Sequence, residues 1–392
     1  MSTLTTSDAD RPLTEGPAID IPDDVAASTV NQRRRFAGAY SVLENAISEH
    51  AFPGAAFGVF FQGKFLALDG VGRFTYSPDS PVVVPGTIYD LASVTKVLAT
   101  TSAAMLLYQQ GRFDLDLPLG EVLPGFVIGL SLARERCKVT LRNLMAHSSG
   151  LPAYAKLFEE HRDPISLLNA CLRMPLEALP GARAEYSDIG FILLGKALEV
   201  LTREPLDVFC EREIFRPVGM TATRYRPPSG WRSLIPPTVD DTAFRCRVIQ
   251  GEVHDENCSV LHGVSGHAGA FSSALDVLRY AACILSEKKL PSERRIFDQA
   301  TIDLFATRPM QPIDSPRALG WDTPSGDSSS GHHFSRSSIG HLGYTGTSLW
   351  IDLERGLAVT LLTNRTWPDR SSQAIRAVRP AFHDAIFAAV AG

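Results

Sequence analysis

Several kinds of chemistry are missing from this sequence. It has no Cys-x-x-Cys pair: Cys137, Cys171, Cys210, Cys246, Cys258 and Cys283 stand far apart. Such spacing suits isolated thiols in a reducing compartment, not a disulfide framework. No His-Glu-x-x-His occurs, so a metal-hydrolase reading lacks its ligands, and without Gly-x-Ser-x-Gly there is no nucleophile elbow of the α/β-hydrolase kind. Basic residues are not in excess, 38 Lys and Arg against 43 Asp and Glu, and the one basic run is Arg33-Arg34-Arg35. That excludes a nucleic-acid footprint and leaves the run as a solvated helix face. The first residues carry neither a basic start nor an apolar stretch, so no signal peptide or membrane anchor is expected and a cytoplasmic location is.

What is present is the composition of an ordinary folded protein, 44% hydrophobic and 21% charged over 392 residues. Residues 1–30 are polar and broken by Pro and Gly, which predicts a loosely ordered lead-in. Phe36, Tyr40, Leu43 and Ile47 then recur at helical spacing. Two hairpins follow from alternation and turn residues: Gly54–Phe61 with Phe65–Leu68, and Ser348–Asp352 with Leu357–Thr363. N- and C-terminal strands are expected to share one sheet, and an amphipathic helix from about Ser371 closes the chain. The apolar stretch from Ser93 to Gln110, stopped by Gly111, reads as one buried helix. Further helices are expected at Leu141–Ala146, Pro164–Arg173, Asp188–Leu201 and Pro205–Ile214, and the serine-rich patch Ser325–Ser338 as a surface loop.

Ser93-Val94-Thr95-Lys96 is the strongest chemical signal. A serine hydroxyl is a poor nucleophile until a base takes its proton, and a lysine three residues on lies on the same helical face. Burial would lower the lysine pKa towards the range a base needs. At a helix start the Ser93 amide is unpaired and able to face a developing oxyanion. The motif is short, and a second match, Ser286-Glu287-Lys288-Lys289, sits in a polar helix end. Ser93 gains weight from two other places. Tyr186, on the junction between the turn at Pro180-Gly181 and a helix, can present its phenol to a site. Gly340-His341-Leu342-Gly343-Tyr344-Thr345-Gly346 precedes a strand, and its backbone can approach a ligand and donate a second N–H. Gly190-Phe-Ile-Leu-Leu-Gly195-Lys196-Ala197 approaches a phosphate loop but lacks the final hydroxyl, and its apolar residues belong inside a helix. His254-Asp255-Glu256 reads as pocket-lining and His332-His333 as solvated.

Taken in this order, the motifs resemble those of the β-lactamase-like serine hydrolases, which include class C β-lactamases, D-Ala-D-Ala carboxypeptidases, D-aminopeptidases and carboxylesterases. The likeness extends to Ile88-Tyr-Asp-Leu-Ala-Ser93-Val-Thr-Lys96, Leu141-Arg-Asn-Leu-Met-Ala-His147-Ser-Ser-Gly150-Leu-Pro152, Ile214-Phe-Arg-Pro-Val-Gly219-Met220, Gly251-Glu-Val-His254-Asp-Glu-Asn257 and Gly266-His-Ala-Gly269. It covers roughly residues 35–390. The resemblance implies an α/β fold of the α+β type: an antiparallel sheet flanked by the terminal helices (31–112 and 262–392) and a mainly helical lobe (113–261). It also implies Ser93 as nucleophile, Lys96 as base partner, Tyr186 as the tyrosine of a Tyr-x-Asn element, and an oxyanion hole from the Ser93 and Tyr344 amides. His341-Leu342-Gly343 stands where penicillin-recognising members carry Lys-Thr-Gly.

Two departures bear on substrate. Asp188 replaces the Asn, exchanging a donor-acceptor amide for an acceptor. His341 replaces the Lys, removing a permanent cation able to hold a carboxylate. Asp188, His341 and Gly343 are therefore expected to contact substrate, and the expected substrate moves away from carboxylate-bearing antibiotics. The reading is a serine hydrolase without metal or cofactor, acting through an acyl-enzyme on a small-molecule ester or amide, with small esters first. Its rivals are a D-amino-acid peptidase or β-lactamase, a biosynthetic acyltransferase, and a non-catalytic binding or sensor protein. No nucleic-acid or membrane partner is expected, and oligomeric state is not legible.

Overall fold

In the computed structural model, which describes residues 31–128, 133–286 and 296–391, the two hairpins join along their inner strands. The expected lead-in over residues 1–30 and the pair Lys288-Lys289 lie outside the described residues. In chain order the strands are β1 (Gly54–Phe61), β2 (Lys64–Gly72), β3 (Ile88–Asp90), β4 (Arg224–Tyr225), β5 (Val239–Asp241), β6 (Arg247–Ile249), β7 (Ala270–Ser273), β8 (Ile339–Leu342), β9 (Ser348–Asp352) and β10 (Leu357–Thr363). A five-stranded sheet runs β2-β1-β10-β9-β8, a small one β3-β7-β4, and β5 pairs with β6. The five-stranded sheet is antiparallel throughout, with Phe57 opposite Leu361 and Val59 opposite Val359.

Period-two alternation gives this sheet two buried faces. Ala55, Phe57 and Val59 of β1, with Val359 and Leu361 of β10, pack under the helices Ala37–Ser48 and Ile375–Ala391. Ala56 and Phe60, with Ala358 and Leu362, turn to the larger core, which includes Leu278 of the helix Ala274–Ser286. Gly58 faces that helix too, and a Cβ there would meet Leu278 Cδ1 at 2.4 Å. Burial on both faces suits near-continuous apolar strands.

Between β3 and β7 the chain is largely helical. Pro164–Arg173 forms as read, with Asp163 accepting from the amides of Ile165 and Ser166. The helix Asp188–Thr202 is capped by the Ser187 hydroxyl, which accepts from Gly190 N–H. The glycines of the loop-like motif lie within this buried helix. At Gly195 a Cβ would come within 2.7 Å of Gly266, so the glycine lets the helix touch the backbone just ahead of β7.

One expectation is corrected. The stretch from Ser93 is not one regular α-helix: a 3₁₀ turn, Ala92–Val94, leads into a π-helical segment, Lys96–Thr101, and then an α-helix, Ser102–Gln109. Hydroxyl groups hold the widened turn, Ser102 Oγ and Tyr280 OH both donating to Val97 O. Such π segments recur at functional sites. The serine-rich patch is a loop with exposed residues such as Asp327 and Arg336, pinned by serines that turn inward: Ser330 and Ser338 are buried, and Ser335 donates to the buried Asp352.

Phe57 connects the sheet to both terminal helices, its ring 5.3 Å from Tyr40 and 5.5 Å from Phe382. Phe57→Ala is expected to cost about 3–5 kcal/mol of stability, read from urea denaturation midpoints.

Candidate active site

The segment carrying Ser93 is held from both sides before its side chain does anything. Asp90, at the end of β3, accepts from Ala92 N–H through Oδ1 at 2.8 Å and from His254 N–H through Oδ2 at 2.6 Å. From the opposite side Thr345 and Thr347, in the β8–β9 turn, donate to the carbonyls of Asp90 and Leu91. A Cβ on Gly343 would meet Thr347 Oγ1 at 1.9 Å, so that glycine makes room for the contact. Between these clamps Ala92 adopts φ +46°, a left-handed conformation costing about 1–3 kcal/mol in a non-glycine residue. The strain turns the chain sharply into the 3₁₀ turn and leaves Ser93 open to a cleft. No partner for the Ser93 or Tyr344 amide is found among the described residues.

Lys96 is completely buried and its Nζ contacts four oxygens: Ser93 Oγ at 3.0 Å, Tyr186 OH at 2.6 Å, Asp188 Oδ1 at 2.6 Å and His267 O at 3.1 Å. Tyr186 OH in turn donates to Ser93 Oγ at 2.8 Å. Burial holds the lysine below its ordinary pKa, against the opposing pull of the Asp188 carboxylate. Burial and the same carboxylate push the Tyr186 phenol well up, so it keeps its proton. Ser187 as helix cap sets the direction of its two neighbours, Tyr186 and Asp188. Its amide donates to His147 Nδ1 at 3.0 Å, and the His147 ring backs that of Tyr186 at 4.7 Å. The segment carrying His267 O is fixed by its own ring, which bonds Asp255 through Nε2 and Ser265 through Nδ1, both at 2.9 Å.

Ser93, Lys96, Tyr186 and Asp188 therefore meet. His341 lies beside them, its ring 5.9 Å from Tyr186 and its Nδ1 2.8 Å from Leu342 O. Burial and the charges of Lys96 and Arg317 keep it neutral. Gly343 is engaged in backbone packing, and Tyr344 is half exposed at the mouth. Ser93, Tyr186, Asp188, His341, Gly343 and Tyr344 line a cleft of about 1020 Å³. Three contributors escaped the sequence reading. Asp90 lay inside a quoted motif without a role, the carbonyl of His267 carries no side-chain signal, and Arg317 comes from an irregular segment that no pattern marks.

A sequence model described as beta-lactamase matches residues 30–381. The chain is 35% identical over 307 residues to an N-acetylmuramyl-L-alanine amidase of Bacillus subtilis (strain 168), covering 71% of this chain and 68% of that one. It is 30% identical over 308 residues to a putative D-alanyl-D-alanine carboxypeptidase of Salmonella typhimurium, covering 71% and 69%. The solved structure of EstCE1, described as a hydrolase with promiscuous acyltransferase activity, superposes with a TM-score of 0.71 at 21% identity over 90% of this chain and 99% of that one, a likeness of fold. Among the described residues no helix is long and apolar enough to cross a membrane.

Burial raises the Asp90 carboxyl from 3.8 to about 6, although two backbone N–H groups oppose the shift. Because the folded value lies above the unfolded one, the associated stabilisation is complete below about pH 4 and is lost as pH rises through about 6, on the order of 3 kcal/mol. Asp90→Asn removes this titration. Urea melts across pH 4 to 7 should show the stability of the native protein falling relative to the variant; parallel curves would contradict the assignment.

Proposed function

The chain belongs to the beta-lactamase family of serine hydrolases, and on that premise we propose that it cleaves esters and amides through an acyl-enzyme on Ser93. The contact of Ser93 Oγ with both Lys96 Nζ and Tyr186 OH inside a desolvated pocket carries this reading.

Counting protons defines the reactive form. As an ammonium, Lys96 donates to three of its four oxygen neighbours. As a neutral amine it donates two N–H groups, to Asp188 and the His267 carbonyl, and its lone pair is left for a hydroxyl proton. In that form Ser93 attacks the substrate carbonyl while its proton passes to the Lys96–Tyr186 pair. The Ser93 and Tyr344 amides stabilise the oxyanion. Tyr186 returns a proton to the leaving group, and a water molecule repeats the sequence to release the acid.

Small carboxylic esters need the least of this machinery, because an alkoxide leaves with little help. A second reading, amide hydrolysis, is favoured by Tyr186: an amine must be protonated to leave, and the phenol beside Ser93 keeps its proton for that step. The substrate named for the Bacillus subtilis relative, N-acetylmuramyl-L-alanine, is then the amide to try first, and a cleft of about 1020 Å³ has room for it.

Ser93→Ala should abolish the acyl adduct seen by intact mass across a panel of esters and muramyl amides, and lower kcat by at least about 10³-fold. Adduct formation in that variant would remove Ser93 as nucleophile. Asp188→Asn tests the lysine. The carboxylate raises the Lys96 pKa, so its loss lets burial lower it further, and the acidic limb of the kcat/KM profile should move to lower pH. A shift to higher pH would place the titration elsewhere.

A further inference from the structure

The turn from Gly343 to Thr347 joins β8 to β9 and carries the Tyr344 amide, and its carbonyls are held almost residue by residue. Arg379 Nη2 donates to Gly343 O at 2.7 Å and to Thr347 O at 2.8 Å. Arg365 Nε donates to Tyr344 O at 2.7 Å, and Thr363 Oγ1 donates to Thr345 O at 3.2 Å. On its other side the turn meets the segment of the nucleophile, where Thr347 Oγ1 donates to Leu91 O at 2.8 Å. The Tyr344 N–H has no partner among the described residues.

One of these contacts falls on the oxyanion-hole peptide itself. Gly343 C=O and Tyr344 N–H belong to a single trans peptide unit, so they point in opposite directions within one plane. Whatever fixes the carbonyl also fixes the direction of the N–H. Arg379 does so, and it is a cation. It lies in the helix Ile375–Ala391 and is 6% exposed. Among the described residues it makes no ion pair, and the charge that bears on it is that of Arg365, another cation. Its positive charge therefore stands unneutralised behind a peptide dipole whose N–H end is directed away from it. Hydrogen bonds arranged in such a line polarise one another, the more so where water is excluded.

We infer that Arg379 is a positioning residue of the oxyanion hole: its guanidinium, bonded to Gly343 O, aims the Tyr344 N–H at the reacting carbonyl and strengthens it as a donor. This role rests on the acyl-enzyme reading at Ser93. In the attack the Ser93 Oγ–C bond forms, the serine proton passes to the Lys96–Tyr186 pair, and the carbonyl π electrons move onto oxygen. The Tyr344 N–H meets that charge, and Arg379 neither gains nor loses a proton. Because the charge exists only in the transition state and the tetrahedral intermediate, Arg379 acts on kcat and not on substrate binding.

The test compares 4-nitrophenyl acetate with the thionoester in which the carbonyl oxygen is sulfur. Sulfur is larger and a weaker hydrogen-bond acceptor, so the oxygen-over-sulfur ratio of kcat/KM reports the hole, whereas loss of assembled enzyme lowers both rates alike. Arg379→Met removes donor and charge. It should lower kcat/KM for the ester about 10- to 100-fold, less than the loss of a whole donor, mainly through kcat, and lower the ratio about 10-fold. Arg379→Lys keeps a cation and should recover part of both. An unchanged ratio in Arg379→Met, whatever the absolute rates, would overturn the assignment. A second readout needs no variant. Gly343-Tyr344 is the one Gly-Tyr step in the sequence, so carbonyl-¹³C glycine combined with ¹⁵N tyrosine gives a single correlated NMR signal. In the native protein its carbonyl carbon should lie downfield of its position in the urea-unfolded chain, and its amide proton should move downfield when phenylboronic acid forms a tetrahedral adduct on Ser93. A carbonyl at the unfolded position, or an amide proton that the adduct does not move, removes the role. Failure of the acyl-enzyme reading shows separately, as ester turnover without an adduct on Ser93.

Discussion

A lysine with no exposed surface is the constraint from which the rest of this structure follows. Taking an ammonium out of water costs several kcal/mol unless oxygen atoms replace its hydration. Lys96 finds four, from the turn of Ser93, from Tyr186 and Asp188 at a helix start, and from the backbone at His267. Three distant stretches of chain must converge to within hydrogen-bond distance of one nitrogen. The local packing is arranged accordingly. Gly195 and Gly266 let a helix and a loop touch, Ser187 caps the helix that aims Tyr186 and Asp188, and Asp255 with Ser265 clamps the ring of His267.

The balance on that nitrogen is also what makes the site reactive. Burial pulls Lys96 towards its neutral form and the Asp188 carboxylate opposes that pull, a combination suited to a group that takes a proton in one step and gives it back in the next. A relative with Asn at this place lacks the carboxylate half of the balance. Strain at Ala92 is borne by the same scaffold, because Asp90, Thr345 and Thr347 over-determine the backbone on either side.

Much of the frame was legible from residue order. The helix Pro164–Arg173 and the hairpin strands Ser348–Asp352 and Leu357–Thr363 form at the bounds read from periodicity and turn residues, since caps, turns and alternation act within a few residues of themselves. Where the reading differed, a distant group intervened. Tyr280 helps hold the widened turn after Lys96, and Asp352 pins Ser335 of the serine-rich loop. Neither partner is visible from the segment it alters.

The same boundary runs through the site. The sequence by itself placed Ser93 and Lys96 within reach of each other, because residues three apart on a helical turn, 3₁₀ or α, carry their side chains on one face. It also marked Tyr186 and the glycines around His341 as backbone junctions able to reach a ligand. Only the tertiary structure decided that Asp188 would pair with Lys96 rather than stand free for substrate, and that Arg317 would lie on Tyr186 beside a neutral His341. The physical reason is that charge in a desolvated pocket acts through space over several ångströms. Its effect depends on which residues packing brings near, not on their order along the chain.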